Sequence, residues 1–334
     1  MCSALTVGYG WGILIHVIAG FSPATPLALQ TQKRTEMEVY AITPTLRLLN
    51  LQPPIPGYGR FIGAYLFCGE KSAIVDTGPA AVAPNLLSAL SQVGMDPAEI
   101  DYIVLTHIHI DHAGGVGTVI KELTNARVLA HSRARSHLID PTKLWQGSLK
   151  TLGDLALKYG PIEPVPEDRI VVATDQVKLD LGRGLALEIY LTPGHAAHHL
   201  SVFDRANGVL IAGEAAGVCI DGAVRLATPP PFKLEETLSS IDKLIALEPR
   251  RLCYGHFGCY DNALERLKLY REKVLAWYET VSSAAETGKN LEEMLLLLRK
   301  KDTSLGYLDD LATDDYDREF ALLINSIRGL AGDV

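Results

Sequence analysis

The chain has 334 residues, 48% of them hydrophobic, which suffices for one large buried core with a smaller appendage. Its net charge is −8 and its basic residues form no run, which argues against nucleic acid or an anionic membrane as the main partner. The five cysteines form neither a CxxC pair nor a regular framework, so we expect reduced thiols and a cytoplasmic protein.

The first 36 residues differ from the rest. The stretch from Val7 to Leu29 is apolar, but no Lys or Arg precedes it as a signal peptide requires, and the basic pair Lys33-Arg34 follows it. Glycines and prolines interrupt the stretch, which weakens a membrane-spanning helix. We predict a dispensable extension at 1–36, with a membrane anchor left open, and a domain that begins near Met37.

From Val39 onward, short strands alternate with helices. Asp96, Pro97 and Glu99 carry the pattern of a helix start, with an N-cap, a proline and a capping glutamate. The predicted elements of this half are strands at 41–42, 46–49, 64–67, 73–75, 102–105 and 127–130, and helices at 84–93 and from Gly115 to Leu123.

The second half repeats this style and ends in helices. Asn207-Gly208, the strongest short hairpin signal, separates two of its strands. The predicted elements are a helical insert at 133–160, strands at 170–172, 177–179, 185–191, 200–203, 209–212 and 252–254, and helices at 234–247, 264–278 and 291–298. We therefore divide the chain into 1–36, 37–261 and a C-terminal helical extension at 262–334. The apolar residues 294–298 are either helix-packing surface or a homodimer contact.

Four candidate metal ligands lie within six positions, directly after the apolar run at 103–105. They are His107, His109, Asp111 and His112. Side chains of an extended segment alternate, so His107 and His109 point the same way. Imidazole and carboxylate suit zinc, iron or manganese. A chance polar loop is the alternative, but this density of ligands favours a metal site.

Further polar clusters follow other predicted strands. His195 and His256 come just after the strands at 185–191 and 252–254. Loops on a rigid scaffold usually hold a protein's chemistry, so these residues are candidates for the same site.

With these residues at strand ends, the chain resembles the metallo-β-lactamase superfamily over roughly residues 39–260. The resemblance implies an α/β fold of the αββα type, in which two sheets pack face to face, helices lie outside and metals bind at one edge. The matching motifs are Asp76-Thr77-Gly78, Thr-His-x-His-x-Asp-His-Ala-Gly-Gly at 106–115, Thr192-Pro193-Gly194-His195, Gly213-Glu214 and Tyr254-Gly255-His256.

The resemblance also implies a ligand set for two metals. His107, His109 and His195 would hold the first metal, and Asp111, His112 and His256 the second. Glu214 stands where the family usually has a bridging aspartate. Because glutamate is one methylene longer, a bridge would need a shifted backbone, a wider site or binding to one ion only. A surface carboxylate beside the metals is the alternative.

Two residues are candidates for a supporting role. By resemblance, Asp76 orients the metal loop through hydrogen bonds, with a simple turn aspartate as the alternative. His199 stands where related hydrolases often have a second histidine, and it could support a ligand. For His199 and its neighbour His198, a surface or core histidine is equally compatible with the sequence.

These features predict a hydrolase that uses a metal-activated water, since metals such as zinc lower the pKa of bound water to about 7. Asp111 would hold the second metal and also act in catalysis on the water. Two divalent ions are expected, zinc first, with iron or manganese as alternatives. The apolar segments 133–160 and 229–232 suggest a small ester, thioester or lactone substrate.

Two other functions stay open at this stage. One is a mono-iron oxidoreductase of the sulfur dioxygenase type, since ligand types alone do not separate iron from zinc. The other is a binding protein that keeps its metal for stability.

Overall fold

A computed structural model of the chain describes residues 37–220 and 222–332. The predictions for residues 1–36, including the membrane anchor, lie outside the described residues. Within the described ranges, no helix combines the length and the apolar character that crossing a membrane requires.

The first half of the chain builds a seven-stranded sheet whose strands follow one another in sequence order. Its strands are β1 (Val39–Thr43), β2 (Leu46–Asn50), β3 (Gly63–Cys68), β4 (Ser72–Val75), β5 (Ile100–Val104), β6 (Arg127–His131) and β7 (Ile170–Ala173). Strands β1 to β4 pair antiparallel, and β4 to β7 pair parallel. The parallel part directs the carboxyl ends of β4 and β5 to one edge of the sheet.

Helices connect these strands, and two of them differ from prediction. The helices are α1 (Ala83–Gln92), α2 (Ile110–Ala113), α3 (Val116–Val119), α4 (Arg135–Ile139), α5 (Thr142–Leu152) and α6 (Asp154–Tyr159). The capping box of Asp96 and Glu99 is present, but it encloses a single turn because β5 starts at Ile100. The helix predicted to reach Leu123 ends at Val119 instead. Gly117 and its β-branched neighbours disfavour a longer helix.

The second half builds a six-stranded sheet and a small two-stranded one. The strands are β8 (Val177–Gly182), β9 (Leu185–Leu191), β10 (Leu200–Asp204), β11 (Val209–Gly213), β12 (Val218–Ile220), β13 (Ala223–Arg225), β14 (Arg251–Tyr254) and β15 (Cys259–Tyr260). The larger sheet has the order β15-β14-β11-β10-β9-β8. Strands β10 and β11 pair antiparallel, which confirms the hairpin predicted at Asn207-Gly208.

The remaining helices are α7 (Leu234–Ala246), α8 (Ala263–Glu286), α9 (Leu291–Lys301) and α10 (Thr313–Gly332). Helices α8, α9 and α10 confirm the prediction that the sequence beyond Asn262 is helical. Within α9, Met294, Leu295 and Leu298 are buried against the neighbouring helices, whereas Leu296 is 58% exposed. Most of the segment 294–298 is therefore packing surface, and a homodimer through these helices stays a prediction.

Three hydrophobic clusters define four layers. The middle cluster lies between the two sheets and joins Leu48 and Phe67 of one to Ile189 and Val202 of the other. A second cluster packs α1 and the short helices on the outer face of the first sheet. A third packs α7, α8, α9 and α10 on the second sheet. Helix, sheet, sheet and helix follow in order, so the αββα sandwich is confirmed, and each fully buried Leu or Ile stabilises it by roughly 2 kcal/mol.

Candidate metal centre

Strand ends from both sheets meet at one edge of the sandwich. Strands β4 and β5 are parallel, and β9, β11 and β14 share a direction because β10 is antiparallel to both β9 and β11, and β14 is parallel to β11. The two sheets are joined at this edge where the Leu200 amide donates to the Thr106 carbonyl oxygen over 2.7 Å. The predicted site residues all follow these strands, so the fold brings them together.

One cluster contains three histidines and a glutamate, namely His107, His109, His195 and Glu214. Nδ1 of His109 lies 3.1 Å from Nε2 of His107 and 2.9 Å from Nε2 of His195. Oε2 of Glu214 lies 3.2 Å from Nε2 of His107 and 2.8 Å from Nε2 of His195. One point is therefore surrounded by three imidazole nitrogens and one carboxylate oxygen.

A second cluster lies beside the first and contains Asp111, His112 and His256. The Nε2 atoms of His112 and His256 are 3.2 Å apart. Oδ2 of Asp111 lies 3.8 Å from the first and 3.5 Å from the second. The Asp111 side chain is 20% exposed, whereas those of its two neighbours are buried. This cluster therefore opens toward solvent on the side of Asp111.

Glu214 reaches both clusters. Besides its contacts to the first cluster, Oε2 lies 3.5 Å from Nε2 of His112, and Oε1 lies 3.3 Å from Nε2 of His256. The residue is only 5% exposed, so it is not a surface carboxylate. Burial alone would raise its pKa, but the surrounding imidazoles outweigh burial and hold the pKa of Glu214 well below its usual range. The group is therefore an ionised carboxylate between the two clusters.

The Asp76 carboxylate orients the histidine loop. Oδ1 accepts the amide of Thr106 over 2.7 Å, and Oδ2 accepts the Thr106 hydroxyl over 2.7 Å and Nδ1–H of His112 over 3.0 Å. Since that hydroxyl donates to Asp76, it accepts from Nδ1–H of His107 at 3.0 Å. The role predicted for Asp76 thus has a geometric basis, and the network assigns the tautomers of His107 and His112.

Two backbone carbonyls orient the remaining histidines in the same way. Nδ1–H of His195 donates to the carbonyl oxygen of Ala227 at 3.0 Å, and Nδ1–H of His256 donates to that of Phe61 at 3.1 Å. In all four rings Nδ1 donates to a partner outside the clusters, so Nε2 faces into a cluster and is the nitrogen that could bind a metal ion. Anchoring the distal ring nitrogen in this manner is typical of metal-binding histidines.

This donor set fits divalent metal ions. Imidazole nitrogens of the two clusters lie about 3 Å from one another and face the Glu214 carboxylate, so unprotonated rings would direct their lone pairs at points that suit a cation. Nitrogen-rich sites with a few carboxylates suit zinc, iron or manganese better than calcium or magnesium, which prefer oxygen ligands.

His199 supports the site from outside the clusters. Its Nε2 accepts the backbone amide of Glu214 at 3.1 Å, and its Nδ1–H donates to the hydroxyl of Thr192 at 2.9 Å. Burial lowers the pKa of His199 well below its usual range, so the ring is neutral and can accept. Gly213 has a positive φ of 56°, and a Cβ there would meet Nε2 of His199 at 2.6 Å. Glycine therefore permits this close approach.

His198 has a different role. Its Nδ1 accepts the amide of Ile108 over a long 3.4 Å, and burial lowers its pKa to about 3. It lies behind His107 with the two rings nearly parallel and 6.3 Å apart. It belongs to neither ligand cluster.

Apart from Asp76 and His199, sequence reasoning assigned no role to the groups that hold the site in place. Thr106 and Thr192 were visible only as neighbours of histidines, and the carbonyl groups of Phe61 and Ala227 leave no signal in a sequence. The sequence suggested two apolar segments, 133–160 and 229–232, as candidates for the substrate pocket, and in the second of them Phe232 is a buried core residue, 3% exposed.

A cavity of about 270 Å³ instead lies between the 57–61 loop, the β12–β13 hairpin and α10. Phe61, which lines it, packs against His256 with ring centroids 4.4 Å apart and ring planes tilted by 50°, so the cavity adjoins the metal centre. Charged residues also line it: Arg60, Arg225, Asp315, Arg318 and Glu319. Its wall is thus more polar than the apolar segments of the sequence suggested.

The chain matches a family model described as the metallo-beta-lactamase superfamily over residues 58–256. The metallo-beta-lactamase fold-containing protein ST1585 of Sulfurisphaera tokodaii is 33% identical over 199 residues, which is 58% of this chain and 72% of that protein. The solved structure of ST1585 aligns with a TM-score of 0.65 and 25% identity, covering 85% of this chain and 97% of that one.

Two further relatives carry functional names. The probable metallo-hydrolase YflN of Bacillus subtilis is 27% identical over 207 residues, 55% of this chain and 74% of that protein. The putative diflavin flavoprotein A 1 of Thermosynechococcus vestitus is 26% identical over 248 residues, 69% of this chain and 38% of that protein.

Proposed function

Because the chain belongs to the metallo-β-lactamase superfamily, we propose that it is a hydrolase that holds two divalent metal ions and cleaves a small ester, thioester or lactone. His107, His109 and His195 would hold one ion, and Asp111, His112 and His256 the other. The observation that carries this proposal is the placement of Glu214, whose two carboxylate oxygens lie 2.8 Å from Nε2 of His195 and 3.3 Å from Nε2 of His256. One buried anion then serves both ions.

The residues of the two clusters and their neighbours have distinct roles in the proposed reaction. When bound, the ions supply a water of lowered pKa and polarise the oxygen of the substrate's carbonyl group. Asp111 is the partly exposed carboxylate of the two clusters, at 20%, so we assign it to orient the attacking water and accept its proton. Asp76 and His199 hold His112 and Glu214 in place. No serine or cysteine nucleophile is required.

Zinc is our first choice of metal, because the donors are five imidazoles and two carboxylates, and iron or manganese are the alternatives. The name of YflN, a probable metallo-hydrolase, agrees with the proposed reaction class. The polar cavity beside Phe61 gives a small-molecule substrate a place to bind.

An iron oxidoreductase is the second candidate. One observation favours it: an alignment that covers 69% of this chain relates it to a putative diflavin flavoprotein. The sulfur dioxygenase type would use a single iron at the same histidines. The presence of two complete ligand clusters favours the two-metal hydrolase over this candidate.

Localisation and assembly are further proposals. The described cysteines, Cys68, Cys219, Cys253 and Cys259, are free thiols, which agrees with a reducing compartment such as the cytoplasm. A homodimer through the C-terminal helices would bury Leu296 of α9, which is 58% exposed.

The test combines metal analysis with two activity measurements. Protein purified without added metal would be assayed on lactones, thioesters, phosphodiesters and β-lactams, and separately for oxygen consumption with thiol substrates. We expect zinc in the protein and hydrolysis of a lactone, ester or thioester that is lost in His107→Ala. Oxygen consumption with one iron per chain would establish the second candidate instead. Bound metal without any turnover would favour a binding protein.

A further inference from the structure

We infer that Ser326 of α10 is a positioning residue for His195, acting through the loop between β13 and α7. This inference rests on the proposed metal site. Ser326 is 131 positions further along the chain than His195 and carries no sequence signal of function. The helix to which it belongs lies in the C-terminal extension, outside the part of the chain that resembles the superfamily.

The link begins at the carbonyl of Ala227. This oxygen accepts Nδ1–H of His195 at 3.0 Å and thereby fixes both the tautomer and the plane of the imidazole ring. Nε2 of the same ring then faces Glu214 at 2.8 Å and His109 at 2.9 Å. A shift of the Ala227 carbonyl would therefore turn the ring away from the first cluster.

Ser326 binds the residues on both sides of Ala227. Its hydroxyl donates to the carbonyl oxygen of Leu226 at 3.0 Å and accepts the amide of Thr228 at 3.4 Å. Its own carbonyl oxygen accepts the hydroxyl of Thr228 at 3.1 Å. One serine thus fixes the peptide groups that flank the carbonyl bound to His195.

These contacts are closed to water. Thr228 is fully buried, and Ser326 and Leu226 are each 3% exposed. Solvent therefore does not replace a hydrogen bond that is lost here, and the loop would have to move to satisfy its polar groups.

The helix itself is held close to the loop at two points. At Gly329, one turn after Ser326, a Cβ atom would overlap the carbonyl oxygen of Thr228, so the approach requires glycine. Toward the start of α10, Glu319 pairs with Arg225 of β13 at 3.3 Å, and both side chains are buried. The loop is consequently clamped by α10 on both sides of Ala227.

The test compares Ser326→Ala and Thr228→Val with Ser282→Ala. Ser282 is a matched control, because it also lies on a C-terminal helix and its hydroxyl has no partner within the described residues. Metal-free proteins would be titrated with Co²⁺ against a chromophoric chelator, and the visible ligand-field bands recorded. We expect one of two Co²⁺ sites to weaken by about 10-fold to 100-fold in both loop variants, with altered bands, since loss of an outer hydrogen bond has this effect on metal sites.

A purely structural role would lower the melting temperature of the variants and leave the Co²⁺ affinity and spectrum of the folded protein unchanged. That result would overturn the inference and leave the proposed function intact. If Ser326→Ala yields no folded protein, Thr228→Val decides alone, since it keeps the bond from Ser326 to Leu226. A wild-type chain that binds no Co²⁺ would instead refute the proposed function, and the inference with it.

Discussion

At the scale of single residues, Glu214 determines how the two ligand clusters relate. The additional methylene of glutamate predicts a shifted backbone, a wider site or binding to one ion only. In the structure, the backbone amide of Glu214 is fixed by His199 at 3.1 Å, and the carboxylate extends to histidines of both clusters. The hydrogen bond from His199 thus fixes the backbone of Glu214, and the long side chain of Glu214 spans the distance from there to both clusters.

We predict that Glu214→Gln loses metal. Replacing the anion by a neutral amide leaves two dications without their shared charge, so metal binding should weaken at least tenfold, which is the lower effect seen even for outer residues of metal sites. Glu214→Asp should also lose metal, because the shorter carboxylate cannot reach both clusters from the same backbone. Metal content by mass spectrometry checks both variants. Full metal content and turnover in Glu214→Gln would show that the carboxylate is not a ligand.

His199 gives a second prediction at this scale. In His199→Ala the amide of Glu214 and the hydroxyl of Thr192 lose a buried partner, so the free energy of unfolding should fall by about 2 kcal/mol or more. His198→Ala is the control, since His198 accepts only one long bond of 3.4 Å. Urea unfolding of the metal-free proteins measures the difference. Equal stability of the two variants would contradict the support that His199 gives.

The ligands could be predicted from sequence because they stand in one dense motif or directly after predicted strands. Of the groups that orient them, Asp76 was implied by resemblance, but the backbone carbonyls could not be predicted. The carbonyls of Ala227 and Phe61 come from segments remote in sequence, and any residue type carries a carbonyl. Only the packing of loops against the histidines reveals them.

At the scale of elements, a buried carboxylate joins neighbouring strands of the second sheet. Glu188 of β9 pairs with Arg205 at 2.7 Å and Lys178 of β8 at 3.1 Å, and it accepts the hydroxyl of Tyr190 at 2.8 Å. The hydrogen bonds from Arg205 are the main reason that the pKa of Glu188 is lowered to about 2. The ionised form is therefore stabilised in the folded state.

The lowered pKa of Glu188 predicts how the free energy of unfolding depends on pH. A carboxylate whose pKa falls from 4.5 to about 2 on folding stabilises the protein above pH 4.5, and this contribution is lost as the pH falls toward 2. Glu188→Gln should thus be less stable than the wild type at pH 7, and the difference should shrink between pH 4.5 and 2. Urea unfolding of metal-free protein at several pH values measures it, with exposed Glu235→Gln as control. A difference that stays constant with pH would contradict the role of the ionised group.

Most strands were predictable from their short apolar runs, although β12, β13 and β15 were not predicted. Helix lengths were not predictable. Asp96 and Glu99 form the predicted capping box, yet only one turn follows it, because Ile100 is already part of strand β5. Helix α3 ends at Val119, four residues before the predicted end, and Gly117 with its β-branched neighbours disfavours a longer helix. Local signals predicted where these elements start better than where they end.

At the scale of the whole molecule, residues far apart in the sequence build the described core. The three hydrophobic clusters extend from Leu46 to Leu330 among their fully buried members, and the C-terminal helices share one cluster with the second sheet. The face-to-face packing of the sheets was implied only by resemblance to a family. Which helices cover which sheet depends on contacts between residues far apart in sequence, which composition and periodicity do not encode.

We predict that deletion of residues 1–36 leaves the remainder folded, with unchanged metal content and free energy of unfolding, because glycines and prolines interrupt the apolar stretch of this segment and the predicted domain begins near Met37. Urea unfolding and metal analysis of the shortened chain test this. Aggregation or loss of metal on truncation would show that the segment belongs to the fold.

The central claim is that one chain holds two metal ions at clusters joined by Glu214. Titration of metal-free protein with Zn²⁺, counted as tightly bound equivalents per chain, tests it most directly. We predict two equivalents for the wild type and one for His256→Ala, which removes a ligand of the second cluster alone. A wild-type chain that binds one equivalent or none, or a His256→Ala chain that still binds two, would contradict the account.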